Sequence, residues 1–531
     1  MIPFRDLRVL FLATALAVHA ATGRTFNVRE DGATSDGRTL CTTALQRTID
    51  RCAAAGGGTV FFPAGVYLSG TLELKNNVML ELDGGATLLG STNPKDYPVR
   101  QPVVASYTDN YVRQALIAGE NLRNVGLRGR GTIDGNGGAF RWKEYRDRPY
   151  VIRLVQCQDV LVEGITLRAS PMWMQHYLAC DRVRIRGITV FNHVSYNNDG
   201  IDIDGCHDVT ISDSVFDSDD DGLCLKSTLN RACENVTITN CVLSSHCNAF
   251  KLGTESNGGF RNITLNNCVI ISPRFSQSVY GMQRGMGGIA LETVDGGTLE
   301  NVAISNVTIA GVNVPLFLRL GNRARPFTAD GPKPGIGSLR SVTISNLVAT
   351  GAGRVGCSIT GLPDHRVENV TLSNLSLEFE GGGKRELVEK PVPERPEAYP
   401  ESRMFGELPA YGLYCRHVDG LKISDVRMTV RAADQRHAIV CDDVADVGIV
   451  GLNVVAAGGA PAVLRLTNVT DAAVRDTRIR GAAGVFMKVD GEATRRVILA
   501  GNHFSRVDQL IDRGAGVPAD AVFETNNAVL K

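Results

Sequence analysis

The stretch NVTITNCVL, residues 235–243, decides the fold, because a close copy of it, NITLNNCVI, follows at residues 262–270. Each copy has a short β-branched strand, a polar corner and a second short apolar strand. Further copies are NVAISNVTI at residues 301–309 and NVTLSNLSL at residues 369–377. Similar units that return along a chain at a regular spacing are the signature of a repeat architecture.

The spacing of the copies indicates the type of repeat. The first valine or isoleucine of each central copy is Val160, Val183, Val209, Val236 or Ile263, so the steps are about 23 to 27 residues. Alternation of polar and apolar residues within a copy indicates strands, and the connections lack long helical patterns. A propeller would need four antiparallel strands in each blade. We therefore predict an all-β fold, a right-handed parallel β-helix.

The N-terminal region departs from the repeat. Residues 1–20 combine a short basic region, an apolar run and a small residue at the end, which predicts a signal peptide. Leu45, Ile49 and Cys52 share one face of a predicted short helix that ends at a run of glycines. Such a helix would cap the open edge of the first coil. We expect residues 21–531 to form a single catalytic domain, in which the Gly- and Pro-rich residues 381–409 are a long loop insertion.

The composition argues against several classes of function. Lys and Arg number 56, as do Asp and Glu, so the net charge is zero and we expect no nucleic-acid partner. The mature sequence has no apolar run of membrane-spanning length, so we expect no membrane anchor and a secreted or periplasmic monomer. The thirteen cysteines have no CxxC spacing, which argues against zinc, and we expect Cys241 and Cys268 to stack as buried thiols.

Asparagines mark the predicted corners of the coils. Six of them begin an Asn-x-Ser/Thr triplet, and nearly all six occupy the same position of the repeat. We interpret them as turn residues rather than as glycosylation sites. They are Asn235, Asn262, Asn306, Asn369, Asn374 and Asn468.

The densest acidic stretch, residues 197–227, carries the candidate chemistry. Asp199 and Asp220 are 21 residues apart, about one coil, so we expect them on neighbouring strands. Asp220 and Asp221 can share a cleft only at a bend, which Gly222 permits. Carboxyl groups roughly 5–9 Å apart suit the hydrolysis of a glycosidic bond. Two other interpretations remain open at this point: turn-forming aspartates, and a calcium site.

The chain also resembles glycoside hydrolase family 28, the polygalacturonases and rhamnogalacturonases, over nearly its whole mature length. The resemblance is carried by FNVREDGATSDGRTLCTTALQRTID at residues 26–50, GGGTVFFPAGVYLSG at residues 56–70, GRGTIDGNG at residues 129–137 and SPMWMQH at residues 170–176. The family's Asn-Thr-Asp motif resembles residues 197–199, and its paired aspartates resemble Asp220 and Asp221.

This resemblance implies separate roles for the aspartates. Asp220 would be the general acid, while Asp199 and Asp221 would hold and deprotonate the attacking water, with inversion at the anomeric carbon. We expect neither a metal nor a cofactor. Residues of the same and the next strands are predicted to bind substrate: Asn198, Asp202, Lys226, His246, Asn248, Lys251 and Glu292.

Two family motifs are replaced in this chain. Asn248 stands where the family's Gly-His-Gly motif has its histidine, and His246 is two residues away, on the same face if the strand is regular. Glu292 falls in the place of the family's Arg-Ile-Lys motif, where it would repel a substrate carboxylate. This favours a neutral sugar such as rhamnose at that subsite. Arg319 and Arg323 are further candidates for binding a uronate elsewhere in the cleft.

The most specific prediction is therefore an enzyme that hydrolyses α-glycosidic bonds of a pectic polysaccharide, of either galacturonan or rhamnogalacturonan type. Two alternatives use the same fold. One is a calcium-dependent pectic polysaccharide lyase, which would release an unsaturated uronide. The other is a non-catalytic carbohydrate-binding β-helix, which would bind without turnover.

Overall fold

A computed structural model describes residues 23–274, 278–456 and 459–529. The predicted signal peptide at residues 1–20 lies outside the described residues. Strands β1 to β42, numbered along the chain, pair in parallel into one continuous coiled sheet with three faces. The predicted right-handed parallel β-helix is confirmed.

The first face, here called the cleft sheet, carries the candidate site. Its strands are β5 (Leu72–Glu73), β8 (Ala115–Glu120), β11 (Tyr150–Val155), β14 (Gln175–Leu178), β17 (Ile201–Asp204), β20 (Leu223–Ser227), β23 (Asn248–Ser256), β25 (Gly287–Thr293), β27 (Val314–Leu320), β29 (Cys357–Thr360), β34 (Leu464–Thr467), β37 (Ala483–Asp490) and β40 (Val507–Arg513).

The second face holds the valines that mark the repeat. Its strands are β1 (Thr25–Asn27), β3 (Gly58–Phe62), β6 (Val78–Leu82), β9 (Arg123–Gly129), β12 (Gln158–Glu163), β15 (Asp181–Arg186), β18 (His207–Ser212), β21 (Cys233–Thr239), β35 (Thr470–Arg475), β38 (Arg495–Ala500) and β41 (Val522–Thr525).

The third face completes each coil. Its strands are β2 (Asp36–Leu40), β4 (Gly65–Ser69), β7 (Ala86–Gly90), β10 (Thr132–Asp134), β13 (Thr166–Arg168), β16 (Thr189–Asn192), β19 (Val215–Ser218), β22 (Val242–Ser245), β33 (Asn453–Val455), β36 (Arg478–Arg480), β39 (His503–Phe504) and β42 (Ala528–Val529).

Six longer strands bend around corners and so belong to more than one face. Four of them run from the second face into the third: β24 (Phe260–Ile271), β26 (Thr298–Ala310), β28 (Ser338–Ala352) and β30 (Val367–Gly381). The other two begin in the cleft sheet: β31 (Ala410–Ala432), which continues through both other faces, and β32 (His437–Val450), which continues into the second face.

The register of the strands matches the repeat found in the sequence. Val160 pairs with Val183, which pairs with Val209 on the next coil. Val209 pairs in turn with Val236, and Val236 with Ile263. Each of these side chains points into one continuous core, where it is removed from water on every side. The spacing of about 23 to 27 residues is therefore the length of one coil.

The corners are built by asparagines in the left-handed region. The six residues interpreted above as turn asparagines all have φ values near +50°. Their amides also bond from coil to coil, since Asn262 Nδ2 donates to Asn235 Oδ1 at 3.0 Å and Asn301 Nδ2 donates to Asn262 Oδ1 at 3.3 Å. Asparagine tolerates this backbone conformation better than most residues. Turn formation therefore accounts for their spacing.

Helix α1 (Thr42–Ala54) lies at the N-terminal end of the stack. Leu45, Ile49 and Cys52 are buried in the core, so the helix covers the first coil as expected. The short 3-10 helices are Val28–Asp31, Pro94–Asp96, Tyr107–Asn110, Gly137–Phe140, Tyr145–Asp147 and Arg385–Leu387. None of the helices among the described residues is both long and apolar enough to span a membrane.

Candidate active site

The turns that enter β17, β20 and β23 place Asp199, Asp221 and Asn248 at equivalent positions on three successive coils. Gly200 N donates to the carbonyl of Asp221 at 2.9 Å, and Gly222 N donates to that of Asn248 at 2.8 Å. A Cβ on Gly200 would lie 2.5 Å from the carbonyl oxygen of Gly222. Glycine after each aspartate is therefore needed for the coils to approach so closely.

A bend brings Asp220 into the same cleft as its neighbour. The backbone N–H of Asp220 donates to Asn198 Oδ1 at 2.9 Å, and the Ser218 hydroxyl donates to the carbonyl of Asp220 at 2.8 Å. One carboxylate oxygen from each of Asp199, Asp220 and Asp221 lies within 4.8 Å of the others. The structure thus brings together all three predicted catalytic residues.

Asp221 is surrounded by donors. Lys251 Nζ lies 2.9 Å from its Oδ2, and the side-chain amide of Asn248 donates to its Oδ1 at 2.9 Å. Burial alone would raise the pKa of Asp221, but the charges of Lys251 and Lys226, together with these hydrogen bonds, hold it below the ordinary value. Asp221 is therefore the carboxyl group of the three that stays ionised most readily.

Asp199 and Asp220 have the opposite tendency. Burial and the neighbouring carboxylates raise the pKa of Asp199 well above its ordinary value. Burial and the charge of Asp221 raise the pKa of Asp220, although the hydroxyl of Tyr280 donates a hydrogen bond to its Oδ2. Crowded carboxylates cannot all ionise together, so a proton is retained on this pair.

Two lysines supply most of the positive charge next to the aspartates. Lys226 Nζ lies 3.8 Å from Asp199 and 3.5 Å from Asp202, and it sits 4.6 Å from the ring centre of Trp173. Lys251 performs the same role at Asp221. Because these fixed ammonium groups offset part of the negative charge and a retained proton removes more of it, the cluster has less need of a bound cation. This arrangement does not favour the calcium-dependent alternative.

Asp202 and Asn198 lie beneath the three aspartates and support the site. Both are fully buried. Burial raises the pKa of Asp202 well above its ordinary value, and Lys226 is its charged neighbour. Asn198 Nδ2 donates to the carbonyl of Asn192 at 2.7 Å, so its side chain fixes the turn that presents Asp220. We assign to both residues a positioning role rather than contact with substrate.

His246 lies outside the cleft. Strand β22 ends at Ser245 and β23 begins at Asn248, so a bend at residues 246–247 breaks the regular alternation on which the prediction rested. His246 is fully buried, with its Nδ1 2.8 Å from Oδ1 of Asp219, a carboxylate that His193 also contacts. We therefore do not retain His246 as a substrate ligand.

Glu292 is also withdrawn from the cleft. It is fully buried, and burial raises the pKa of its carboxyl to about 8. It does not line the cavity that opens above the three aspartates. An uncharged, covered carboxyl group does not repel a substrate carboxylate, so the argument from Glu292 for a neutral sugar loses its basis.

The two candidate arginines have structural partners. Arg319 is buried and donates to the carbonyls of Glu394 and Gly361 at 2.7 and 3.1 Å. Arg323 is paired with Asp295. Both guanidinium groups are therefore occupied in holding loops together.

A cavity of about 590 Å³ opens above the aspartates. Its wall includes residues that sequence reasoning did not single out. Most of them come from loops distant in the chain, whereas Glu255 lies within β23. They are Asn110, Tyr111, Glu144, Tyr145, Arg146, Met172, Glu255, Arg325 and Tyr399. Glu255 forms ion pairs with Arg325 at 2.8 Å and with Lys226 at 3.5 Å, so acidic and basic groups alternate around the cavity.

Comparison with known proteins places this geometry in context. The family model described as glycosyl hydrolases family 28 matches residues 52–394. A probable polygalacturonase of Vitis vinifera is 35% identical over 212 residues, which are 37% of this chain and 43% of that protein. An exo-poly-alpha-D-galacturonosidase of Dickeya chrysanthemi is 37% identical over 142 residues, which are 25% of this chain and 22% of that protein. The chain thus spans less than half the length of these two relatives.

Solved structures share the fold. The hyperthermoactive exopolygalacturonase of Thermotoga maritima superposes with a TM-score of 0.54 at 24% identity, over 67% of this chain and 87% of that chain. The polygalacturonase of Erwinia carotovora gives a TM-score of 0.54 at 20% identity, over 67% of this chain and 93% of that chain.

Proposed function

This chain belongs to glycosyl hydrolases family 28, and from that premise we propose that it hydrolyses α-glycosidic bonds of a galacturonan-type pectic polysaccharide. The observation that carries the proposal is the convergence of three carboxyl groups within 4.8 Å in a cavity, with one pKa lowered and two raised. Groups whose pKa values are pushed apart can act as base and acid at the same pH.

The water would be held between Asp199 and Asp221. Two oxygens less than 4.8 Å apart can both accept a hydrogen bond from one water molecule. Asp221, the more readily ionised of the two, takes the proton as the water oxygen bonds to the anomeric carbon. Lys251 and Asn248 fix the orientation of this carboxylate through their contacts at 2.9 Å.

Asp220 would act as the general acid. Its side chain is partly exposed in the cavity wall, and its raised pKa favours the protonated form. As the bond to the leaving sugar breaks, the proton of Asp220 moves to the glycosidic oxygen. Tyr280 and the Asn198 side chain hold Asp220 in place.

Cations in the cavity wall support a uronate substrate. Lys226, Arg146 and Arg325 all line the cavity. Arg325 is held by the Tyr107 hydroxyl at 2.6 Å and by Glu255 at 2.8 Å, so Arg146, whose side chain is exposed, is the cation most open to a substrate carboxylate. Guanidinium and ammonium groups bind carboxylates well. This supports galacturonate as the sugar bound beside the aspartates, in place of the neutral sugar expected from Glu292.

The proposed setting is outside the cytoplasm, where pectic polymers are found. The predicted leader at residues 1–20 would direct export, and we propose that the mature enzyme acts as a monomer.

The test is incubation of the purified protein with homogalacturonan and with rhamnogalacturonan, followed by reducing-sugar assay and mass spectrometry. We expect saturated galacturonate products from homogalacturonan. A product that absorbs ultraviolet light and is lost on adding a chelator would indicate a lyase instead. Binding of either polymer without any product would indicate a non-catalytic protein.

A further inference from the structure

The cleft sheet is covered by crossing segments at both ends of the cavity. Loops lie beside the outer face of most of its strands, but two chain segments cross directly over the sheet. One precedes β8, and the other precedes β31. Between the two segments lie β17, β20 and β23; the turns that enter β17 and β20 carry the three aspartates, and β20 and β23 carry the two lysines.

The N-terminal crossing is made by residues 107–114. Tyr107 N donates to the carbonyl of Thr228, beyond the end of β20, at 2.7 Å. From there the segment passes to the start of β8 at the opposite edge of the cleft sheet. Val112 and the residues it covers form a separate apolar cluster on the outer face: Val112, Ala115, Ala118, Tyr150, Met172 and Trp173, with Tyr111 packed against them.

Two tyrosines close this end of the cavity. Tyr111, from the crossing segment, stacks on Tyr145 with ring centres 5.7 Å apart and ring planes inclined by 23°. Tyr111 also meets the edge of Trp173 at 6.0 Å. Tyr145 comes from the loop before β11. In the same loop, Arg148 donates a hydrogen bond to the carbonyl of Tyr196 at 2.7 Å. The pair therefore joins loops from both edges of the sheet above Trp173.

The C-terminal crossing is made by residues 394–409. At one edge, Asn322 N donates to the carbonyl of Pro396 at 2.7 Å. At the other edge, Ser402 Oγ lies 3.5 Å from the carbonyl of Met286, which immediately precedes β25. After the second anchor, Met404 and Phe405 pack on the outer face of β25 and β27. The Tyr399 hydroxyl lies 3.3 Å from Lys251 Nζ, so this segment ends the cavity beside the catalytic strands.

These two crossings leave a short space. From β14, which follows Trp173, to β25 the cleft sheet advances four strands, or about 19 Å at the usual spacing. A cavity of about 590 Å³ has the size of a site for a small ligand rather than of a channel for a long polymer. A pectic chain lying along the sheet would collide with Tyr111 and Tyr145 at one end and with the 394–409 segment at the other.

Resting on the function proposed above, we propose that this enzyme acts at the ends of its substrate chains and releases short products. A polymer enters the cavity by one end, while the remainder of the chain leaves through the open mouth. Internal bonds do not reach Asp220.

The experiment follows product size and solution viscosity during digestion of homogalacturonan. The expected result is that galacturonate or short oligomers are the first products and that viscosity falls slowly for each bond cleaved. At fixed polymer mass, doubling the mean chain length should halve the initial rate, because the number of ends is halved. A ladder of long oligomers with a rapid loss of viscosity would overturn the proposal.

A binding measurement separates this inference from catalysis. Titration calorimetry of the protein with short oligogalacturonides and with long homogalacturonan gives the number of protein molecules bound to each chain. The expected ratio does not rise with chain length, even if no bond is cleaved and the proposed hydrolysis is wrong. A ratio that rises with length would show that internal segments enter the cavity.

Opening one end provides a second test. The double variant Tyr111→Ala/Tyr145→Ala removes the stacked rings, and we expect longer oligomers among its products and a faster loss of viscosity per bond. The matched control is Phe523→Ala, which removes an exposed ring from a distant coil. Products identical to those of the parent enzyme would eliminate the tyrosine pair as a barrier.

Discussion

The ammonium group of Lys251 lies 2.9 Å from Oδ2 of Asp221, and both side chains are almost completely buried. The two residues stand on adjacent coils, Lys251 within β23 and Asp221 just before β20. A buried carboxylate is costly unless a partner offsets its loss of water. Lys251 is the main such partner, and together with Lys226 it lowers the pKa of Asp221.

Replacing Lys251 by methionine should raise the pKa of Asp221, because the ionised form loses its main charge partner. The base must be ionised to accept a proton, so the acidic limb of the pH profile of kcat should move to higher pH. The loss of activity should therefore be largest in acid and smaller at higher pH. Lys422→Met, on the exposed outer surface, is the control. A uniform loss at every pH would contradict this role.

Asp220→Asn should lower kcat by about 10²–10⁴-fold, the usual contribution of a general acid. The amide has nearly the same shape and keeps acceptor and donor atoms in the turn, so the fold should remain intact by circular dichroism. Asp213→Asn makes the same exchange at an exposed corner and should leave kcat unchanged. An Asp220→Asn enzyme with full activity would rule out this assignment.

The anomeric configuration of the first product should be inverted. The close approach of the carboxyl oxygens would also be compatible with direct attack by an aspartate, since general acid and nucleophile lie close together in retaining enzymes. Proton NMR during the first minutes of digestion distinguishes the two. We expect the β-anomer from an α-linked substrate, and an α-product would make one aspartate a nucleophile rather than a base.

Glu292→Gln should change how stability depends on pH. The pKa of the carboxyl is about 8 in the folded protein and 4.5 in its ordinary state. Between these values the unfolded chain gives up the proton while the folded chain keeps it, so the parent protein loses stability as the pH rises. The variant lacks this loss, and its Tm relative to the parent should increase from pH 5 to pH 8. The corresponding difference in the free energy of unfolding between variant and parent would reach about a few kcal/mol at pH 8.

The control for this measurement is Glu524→Gln, at an exposed position near the C-terminus. Its Tm difference from the parent should be the same at both pH values. If Glu292→Gln behaved in the same way, the carboxyl would be ionised in the folded protein.

Asn262→Ala should lower the free energy of unfolding by about 1–2 kcal/mol, because alanine is strained in the left-handed region and the ladder loses hydrogen bonds. Asn262→Gly relieves the strain but also lacks the amide, so its loss should be smaller. Chemical denaturation measures both. Equal losses in the two variants would show that the backbone conformation contributes nothing.

The repeat made the fold predictable, because the sequence of each copy indicates where its strands and corners lie. Asp199, Asp220 and Asp221 were predictable for the same reason, since positions one coil apart become neighbours. His246 was misplaced because the two-residue alternation of a strand does not reveal a bend, and the bend at residues 246–247 turns this histidine toward Asp219.

The walls of the cavity could not be predicted in this way. Tyr399 and Arg325 reach the site through long irregular loops whose path is set by contacts far away in the sequence, such as that between Arg325 and Tyr107. Glu292 was misread because the covering of its strand by the 394–409 segment is invisible in the local sequence. Repeats report which side chains share a face, but not what lies above them.

Residues 382–409 leave the stack after β30 and return at β31, while the strands on either side stay paired in register. Changes of length in this excursion that keep its contacts with Arg319 and Arg436 would therefore leave the register of the neighbouring strands unchanged. The length of glycan that fits at this end of the cavity is thus encoded outside the repeating coils, whereas Tyr111 and Tyr145 set the limit at the other end.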